Sequence, residues 1–399
     1  MVNMDFVELL NAVDAAVWGP PMIILLLGCH IYTTIRTKGI QRKLPLALKL
    51  SVTKDDGAEG DVSNFGAMAT SLASTLGTGS IIGVATAVLS GGPGAVLWMW
   101  LTGILGMATK YTEVFAAMKY RVKDWRGQMM GGAMHVWEQR FKRPDGTVPW
   151  WAKLAAIWFA VMACFTIFEC AFTPKAAFGG AVGSGIMVAL QFGCARGLFS
   201  NESGLGTAPL ISSAAASKNP ARQALVGMTG AFWCTVVICL MSGLVIVSTL
   251  LANPTLIADT GVTDGATLAN SVFGTIPVVG TPVLMLGIIC FAYSTILGWS
   301  YYGERVTTYL FGRRWVPLYI GLYICMGFLG GIGVGDVAWT ATDIANALMA
   351  IPNIIMVFVM TGMVAKETQH YVYDGNIDEE YKEEIHTLEE KSAFLRKKA

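Results

Sequence analysis

The sequence predicts an all-α, polytopic membrane protein of about nine spans, and three observations predict it. Nine long apolar stretches recur along the chain, and the connectors between them alternate between basic and neutral or acidic. The third observation is composition: the 399 residues are 54% hydrophobic and only 14% charged. Ordinary soluble domains are about 25% charged, and a soluble fold cannot hide so much apolar surface. The 28 basic and 27 acidic residues nearly cancel, so no overall field recruits nucleic acid or an anionic surface.

The apolar stretches cover residues 13–35, 65–89, 95–118, 151–170, 178–199, 225–250, 283–302, 315–333 and 337–364. Each approaches the roughly 20 residues needed to cross about 30 Å of hydrocarbon. The fifth is the weakest, with Gln191 and Arg196 near its end. The first lacks a basic leader and a small-residue cleavage site, so it is expected to stay as a helix. Residues 1–365 therefore read as one transmembrane domain in contact with lipid, and 366–399 as a charged cytoplasmic tail. In that tail Tyr381, Ile385, Leu388 and Leu395 recur at the spacing of a short surface helix.

Basic residues fill the connectors after the first span (Arg36, Lys38, Arg42, Lys43, Lys49, Lys54) and after the third (Lys119, Arg121, Lys123, Arg126, Arg140, Lys142, Arg143). Lys218 and Arg222 follow the fifth span, and Arg305, Arg313 and Arg314 flank the seventh. The intervening connectors carry almost none. By the positive-inside rule the N-terminus is expected outside the cell membrane and the C-terminus in the cytoplasm.

The second span is interrupted at its middle by Thr75-Leu76-Gly77-Thr78-Gly79-Ser80. Backbone that leaves its helix at membrane depth must be satisfied by protein, a cavity or a ligand, and secondary transporters bind substrate and coupling ion at such breaks. Gly77 and Gly79 tolerate the dihedrals of an interruption. Amides near Gly79, Ser80 and Ile81 then form a positive helix end suited to a substrate carboxylate, while carbonyls around Ser74 to Gly77 suit a sodium ion. Thr78, Gly79 and Ser80 are thus substrate candidates, and Ser74 and Gly77 ion candidates. Close helix packing explains a lone Gly-Thr-Gly equally well, but the hydroxyls of Thr75, Thr78 and Ser80 favour a site.

A second interruption is written as Ala195-Arg196-Gly197-Leu198-Phe199-Ser200-Asn201-Glu202-Ser203-Gly204-Leu205-Gly206. It reads either as a helix end followed by a turn or as a set of donors and acceptors facing the first break. On the latter reading Asn201, Ser203 and Gly204 contact substrate. Arg196 and Glu202 read either as a pair gating the mouth or as structural residues. In the seventh span Ser294 and Thr295 offer oxygens to a small hard cation, although each hydroxyl can instead bond its own helix. Tyr293 and Trp299 read as walls around a small substrate.

The eight cysteines lie in or beside apolar stretches without a CxxC pair, and the four histidines are scattered without an HExxH. Neither a structural metal nor a cofactor is expected.

The runs TLGTGSIIGVATAVLSGGPGAVLWMWLTGILGMATKY, ARGLFSNESGLGTAP and FAYSTILGWSYYGER resemble the alanine or glycine:cation symporter family, the sodium:alanine symporters. The likeness covers residues 64–121, 171–247 and 281–364, with support in 18–48. It implies an inverted-repeat amino acid transporter fold: two five-helix repeats with discontinuous first and sixth core helices, and sodium between the first and eighth. It also implicates the Gly-Thr-Gly break, the Ser-Asn-Glu segment and the Ser-Thr-Ile-Leu-Gly-Trp helix in the central site. Two departures stand out. Ser80 replaces the asparagine usual in the family. The first repeat is incomplete, because residues 151–165 look like the third core helix and 166–176 already like the approach to the sixth.

The implied function is sodium-coupled symport of a small neutral amino acid, alanine or glycine, by alternating access. The absence of ionisable residues at mid-depth in the second, sixth and seventh spans argues against a charged substrate or a carboxylate proton relay. The alternatives are a shortened, transport-inactive or regulatory homologue and, further off, an ion channel. A channel wants a continuous polar pore that the sequence does not display. No enzyme is read, for want of a nucleophile–base or metal set. The missing crossings predict weak transport from the isolated chain and a thin flank where polar groups meet water or a partner helix.

Overall fold

A computed structural model describes residues 4–55, 57–167, 189, 193–194, 196–197, 200–331, 336–382 and 385–388. Most of the expected fifth span lies outside the described residues. The described parts of the other apolar stretches are largely helical, and their ends are set by recognisable chemistry.

Helix α1, Met4–Val17, stops before α2, Pro20–Arg36. Residues 13–35 were expected to form one span; Pro20 and Pro21 at the first positions of α2 supply no amide to continue α1, so the stretch breaks at Trp18–Gly19. Next come α3, Leu44–Ser51, and the two halves of the broken span, α4, Asn64–Thr75, and α5, Ile82–Gly91. The Ser63 hydroxyl caps α4 by accepting from Gly66 N. Helix α6, Gly94–Lys119, follows, then the buried α7, Ala133–Arg140, and α8, Trp150–Ile167.

Beyond the partly described segment come the short α9, Ala208–Ser212, and α10, Pro220–Ala231, capped by Asn219. A π-helical stretch, Phe232–Cys239, leads α10 into α11, Leu240–Ala252. The acidic connector folds into α12, Leu256–Thr260, and α13, Gly265–Gly274, the latter started by an Asp264–Thr267 capping box. The last three helices are α14, Gly280–Phe311, α15, Val316–Gly331, and α16, Asp336–Thr368.

Among the described residues four helical stretches are long and apolar enough to cross a bilayer unaided: Trp150–Ile167, Pro220–Ala252, Gly280–Phe311 and Thr340–Tyr373. The halves α4 and α5 are too short singly, and α6 is diluted by Lys110, Glu113 and Lys119. Helix α6 is the central post, packing on α10, α2 and α16, while α14 lies along α4 and α8.

The basic connectors gather at one end of the bundle. Arg222 bonds Asp55 at 2.7 Å and Asp378 at 2.5 Å, and Lys119 bonds Glu367 at 2.6 Å. Arg121 donates to Ala215 O at 2.8 Å and Glu59 O at 3.0 Å. Two two-residue strands, Val62–Ser63 and Ala215–Ala216, pair in parallel there. Connectors expected on one side of the membrane are therefore in contact with one another.

The tail departs from expectation. The last helix passes residue 365 and ends in a π turn, Gln369–Tyr373, with Tyr371 and Val372 buried. Residues Tyr381, Ile385 and Leu388 do not lie on a helix. The backbone there pairs with the body instead: Tyr381 N donates to Lys218 O at 2.8 Å, Lys123 N to His386 O at 2.9 Å, and Leu388 N to Lys123 O at 2.8 Å. Inter-segment hydrogen bonds thus replace those a surface helix would make.

Candidate functional site

At the first break α4 ends at Thr75, Gly77 is extended (φ −102°, ψ −173°), and Thr78–Ser80 make a single 3-10 turn before α5. The turn takes up two of the amides expected to be free: Ser80 N donates to Gly77 O at 3.0 Å and Ile81 N to Thr78 O at 3.1 Å. The positive-φ glycines lie elsewhere, Gly204 and Gly206 among them. What Gly77 provides is space, since a Cβ there would sit 3.0 Å from Thr295 Oγ1.

That hydroxyl is the most informative atom of the seventh span. Thr295 Oγ1 is buried and has no protein partner. One turn on, Gly298 lets α14 touch α4 so closely that a Cβ would lie 2.3 Å from Ser74 Cβ and 2.7 Å from Ser74 Cα. The four ion candidates therefore separate. Gly77 and Thr295 face each other; the Ser74 hydroxyl is held 2.5 Å from Tyr302 OH and donates toward Ser71 O at 2.9 Å. Ser294 spends its hydroxyl on Phe291 O at 3.0 Å and lines a groove with Leu72, Leu76 and Trp233.

The aromatic candidates separate as well. Trp299 is buried, packed edge-on against Tyr302 with centroids 5.7 Å apart. Tyr293 is 65% exposed and does not wall the break.

Ser200 brings the second break to the first through a thiol that sequence reasoning passed over. Cys234, on the π-helical stretch, lies 2.9 Å from Ser200 O and 3.2 Å from Ser200 Oγ. It lies 3.5 Å from Ser80 Oγ and 3.7 Å from Thr75 O. Cys239 Sγ is 3.0 Å from the Ser200 hydroxyl. A π stretch widens the helix by one residue per turn and recurs at functional sites; here it points two cysteines at both breaks. Nothing in the apolar run Phe-Trp-Cys-Thr-Val-Val-Ile-Cys announces it.

Asn201, Ser203 and Gly204, expected around the substrate, belong to a buried polar cluster against α6, in which Asn201 Nδ2 and Ser203 Oγ have no protein partner. Lys110 Nζ donates to Asn201 O at 2.9 Å, and Gly204 N to Glu113 Oε1 at 2.8 Å. Asn353 Nδ2 donates to the same Oε1 at 2.5 Å and to Gly204 O at 2.9 Å. Asn201 Oδ1 accepts from Ser203 N at 2.8 Å, closing a local turn. Glu202, at φ +55°, accepts from the Thr207 hydroxyl at 2.6 Å. Among the described residues no Arg196–Glu202 ion pair is formed, and the Arg196 charge is felt by Asp14 and Asp343. Lys110 and Glu113 were not singled out from the sequence, although two ionisable residues three apart inside an apolar span are a functional signal in a membrane.

Among the described residues no group of three His, Cys, Asp or Glu side chains could hold a metal ion. The oxygens at the first break are hydroxyls and carbonyls, which suit a monovalent cation in transit, and the second break adds the Glu202 carboxyl. A helix interrupted at membrane depth and met by a second non-helical segment is the arrangement at which secondary transporters bind substrate and ion.

The sequence profile of the sodium:alanine symporter family matches residues 3–167 and 160–385, and the chain belongs to that family. It is 38% identical over 452 positions to an uncharacterized transporter of Haemophilus influenzae, covering 92% of this chain and 96% of the relative. It is 37% identical over 454 positions to the sodium/alanine symporter AgcS of Methanococcus maripaludis, covering 92% and 98%. A probable sodium/glutamine symporter, GlnT, of Bacillus subtilis is 27% identical, covering 89% and 88%. The activity is sodium-coupled amino-acid symport, with sodium as coupling ion; it is a transporter and not an enzyme.

The two profile matches meet at residues 160–167, beside the place where the sequence reads as shortened. The 452-position alignment takes up 92% of a 399-residue chain, so about 85 aligned positions have no residue here.

Proposed function

We propose that this chain carries alanine or glycine with sodium, binding both between its two helix breaks. The observation that carries the reading is the convergence of Thr75, Ser80 and Ser200 on Cys234, with Gly77, between Thr75 and Ser80 in the chain, facing an unpartnered Thr295 hydroxyl. Small side chains and sulfur line this meeting point, which favours a substrate with little or no side chain. Sodium belongs at Gly77 and Thr295; the amino acid belongs along Thr78, Gly79 and Ser80, with Trp299 behind. Asn201, Ser203 and Gly204 support the site from the inner side. The name of AgcS points to the same substrate, and that of GlnT marks the family as able to take larger ones.

The domain division that fits is a transporter body running through the last helix to Tyr373, beyond the expected boundary at 365, and a tail after it strapped to the cytoplasmic face. The nine-span reading with an incomplete first inverted repeat is supported by the two-part profile match. It is also supported by an apolar groove of about 640 Å³ along α4 and α14, lined by Leu48, Phe65, Leu72, Trp233 and Phe291. Phe65 there is 54% exposed. Lipid covers apolar groups at no cost, but two missing crossings remove scaffold from the element that must move, so turnover of the isolated chain is expected to be slow. A partner helix in the groove would restore the scaffold.

Orientation is tested by cysteine accessibility. With single cysteines at positions 142, 218 and 264 on a background without reactive cysteines, the first two are expected to label only from the cytoplasm and the third only from outside. External labelling at 142 or 218 in intact cells would overturn the orientation. For substrate, labelled alanine should be displaced by glycine far better than by glutamine; the reverse order would reassign it.

A further inference from the structure

The cluster beneath the second break holds one ammonium and two carboxyls away from water. Lys110 and Glu113 are fully buried and Glu202 nearly so. If both carboxyls were ionised, one negative charge would stand uncompensated in a low-dielectric interior, which is strongly unfavourable. The hydrogen bonds distinguish the two acids. Glu202 is served by the Thr207 hydroxyl and is within reach of Thr75. Glu113 accepts two bonds on Oε1, from Gly204 N and Asn353 Nδ2, while its Oε2 has no partner. Asn353 Oδ1, on the amide already bonded to this carboxyl, is also buried without a donor.

The groups facing Glu113 do not supply the missing positive charge. On α6 there is Lys110; from the loop, Glu202; from α2, Cys29 and His30. His30 Nδ1 is 2.7 Å from the Thr109 hydroxyl, and its Nε2 has no acceptor, so an imidazolium there would bury an unsatisfied N–H. Helix α16 brings the neutral Asn353.

We infer that Glu113 is a proton-binding site: Oε2 carries a proton, and the neutral acid ties α6 to α16 and to the Asn201–Gly206 loop through the bonds that Oε1 accepts from Asn353 and Gly204. The proton comes from water and returns to it. Its loss leaves two carboxylates around one ammonium and pushes the loop off α6. The proton site involves different side chains from the sodium and amino acid positions proposed above, and it borders them through the Asn201–Gly206 loop.

Infrared spectroscopy of the purified full chain, without substrate, reads the proton directly. Wild type minus Glu113→Gln at neutral pH should show one protonated-carboxyl carbonyl band, and Glu202→Gln should retain that band. Asn353→Ala, which keeps the acid but removes the amide from its carbonyl oxygen, should move the band to higher frequency. The Asn353 variant decides the matter if Glu113→Gln fails to fold. Absence of the band in wild type, its persistence in Glu113→Gln, its loss in Glu202→Gln, or an unmoved band in Asn353→Ala would overturn the inference.

Discussion

Gly298→Leu is expected to abolish sodium-dependent alanine uptake. At position 298 the helices α14 and α4 touch through backbone: a Cβ would lie 2.7 Å from Ser74 Cα and 3.1 Å from Ser74 N. Neither atom can rotate away as a side chain would, so α14 must retract. Overpacking of this kind costs about 1–3 kcal/mol in a core. The larger effect is on the site, because Thr295 lies one turn away and moves with the helix. Gly287→Leu on the same helix is the control, since nothing lies within 4 Å of a Cβ at that position. Near-normal uptake by Gly287→Leu with loss in Gly298→Leu is the expected pair of results. Wild-type sodium dependence in Gly298→Leu would separate α14 from the ion site.

Thr295→Val is expected to raise the sodium concentration for half-maximal alanine binding by about ten- to a hundredfold. Valine keeps the shape and removes the unpartnered oxygen. A hydrogen bond to a charged group is worth about 1.5–3 kcal/mol, and a direct oxygen ligand to a cation is taken as at least comparable. Ser294→Ala should change little, because its hydroxyl is bonded to Phe291 O. Alanine affinity at saturating sodium should move less than the sodium requirement itself. Equal effects of the two substitutions, or none from Thr295→Val, would place the ion elsewhere.

Hydropathy and charge made the helices legible, because a bilayer demands long apolar runs and sorts lysine and arginine by side. The break at Thr75–Ser80 was legible from two glycines amid hydroxyls in an apolar run. Which side chains of α14 face it was not. Successive helical residues point about 100° apart, so Tyr293, Ser294 and Thr295 cannot share one target, and only the packing of Gly298 on Ser74 fixes the phase. The π stretch at Phe232–Cys239 has no compositional mark, and so Cys234 read as a packing residue. Asn353 was hidden for another reason: its partners, Glu113 and Gly204, lie far off in sequence and meet it only in the folded bundle. The tail showed helical spacing, but strand-like pairing with Lys123 prevailed.

Equilibrium binding of labelled alanine to the purified 399-residue chain, in sodium and with sodium replaced by choline, tests most directly whether the two breaks form a coupled site. Measuring binding rather than uptake keeps the result independent of how the shortened scaffold affects turnover. The predicted result is alanine binding at least about tenfold tighter in sodium, with the gain diminished in Thr295→Val. The same alanine affinity in choline and in sodium, or a sodium effect untouched by Thr295→Val, would contradict it.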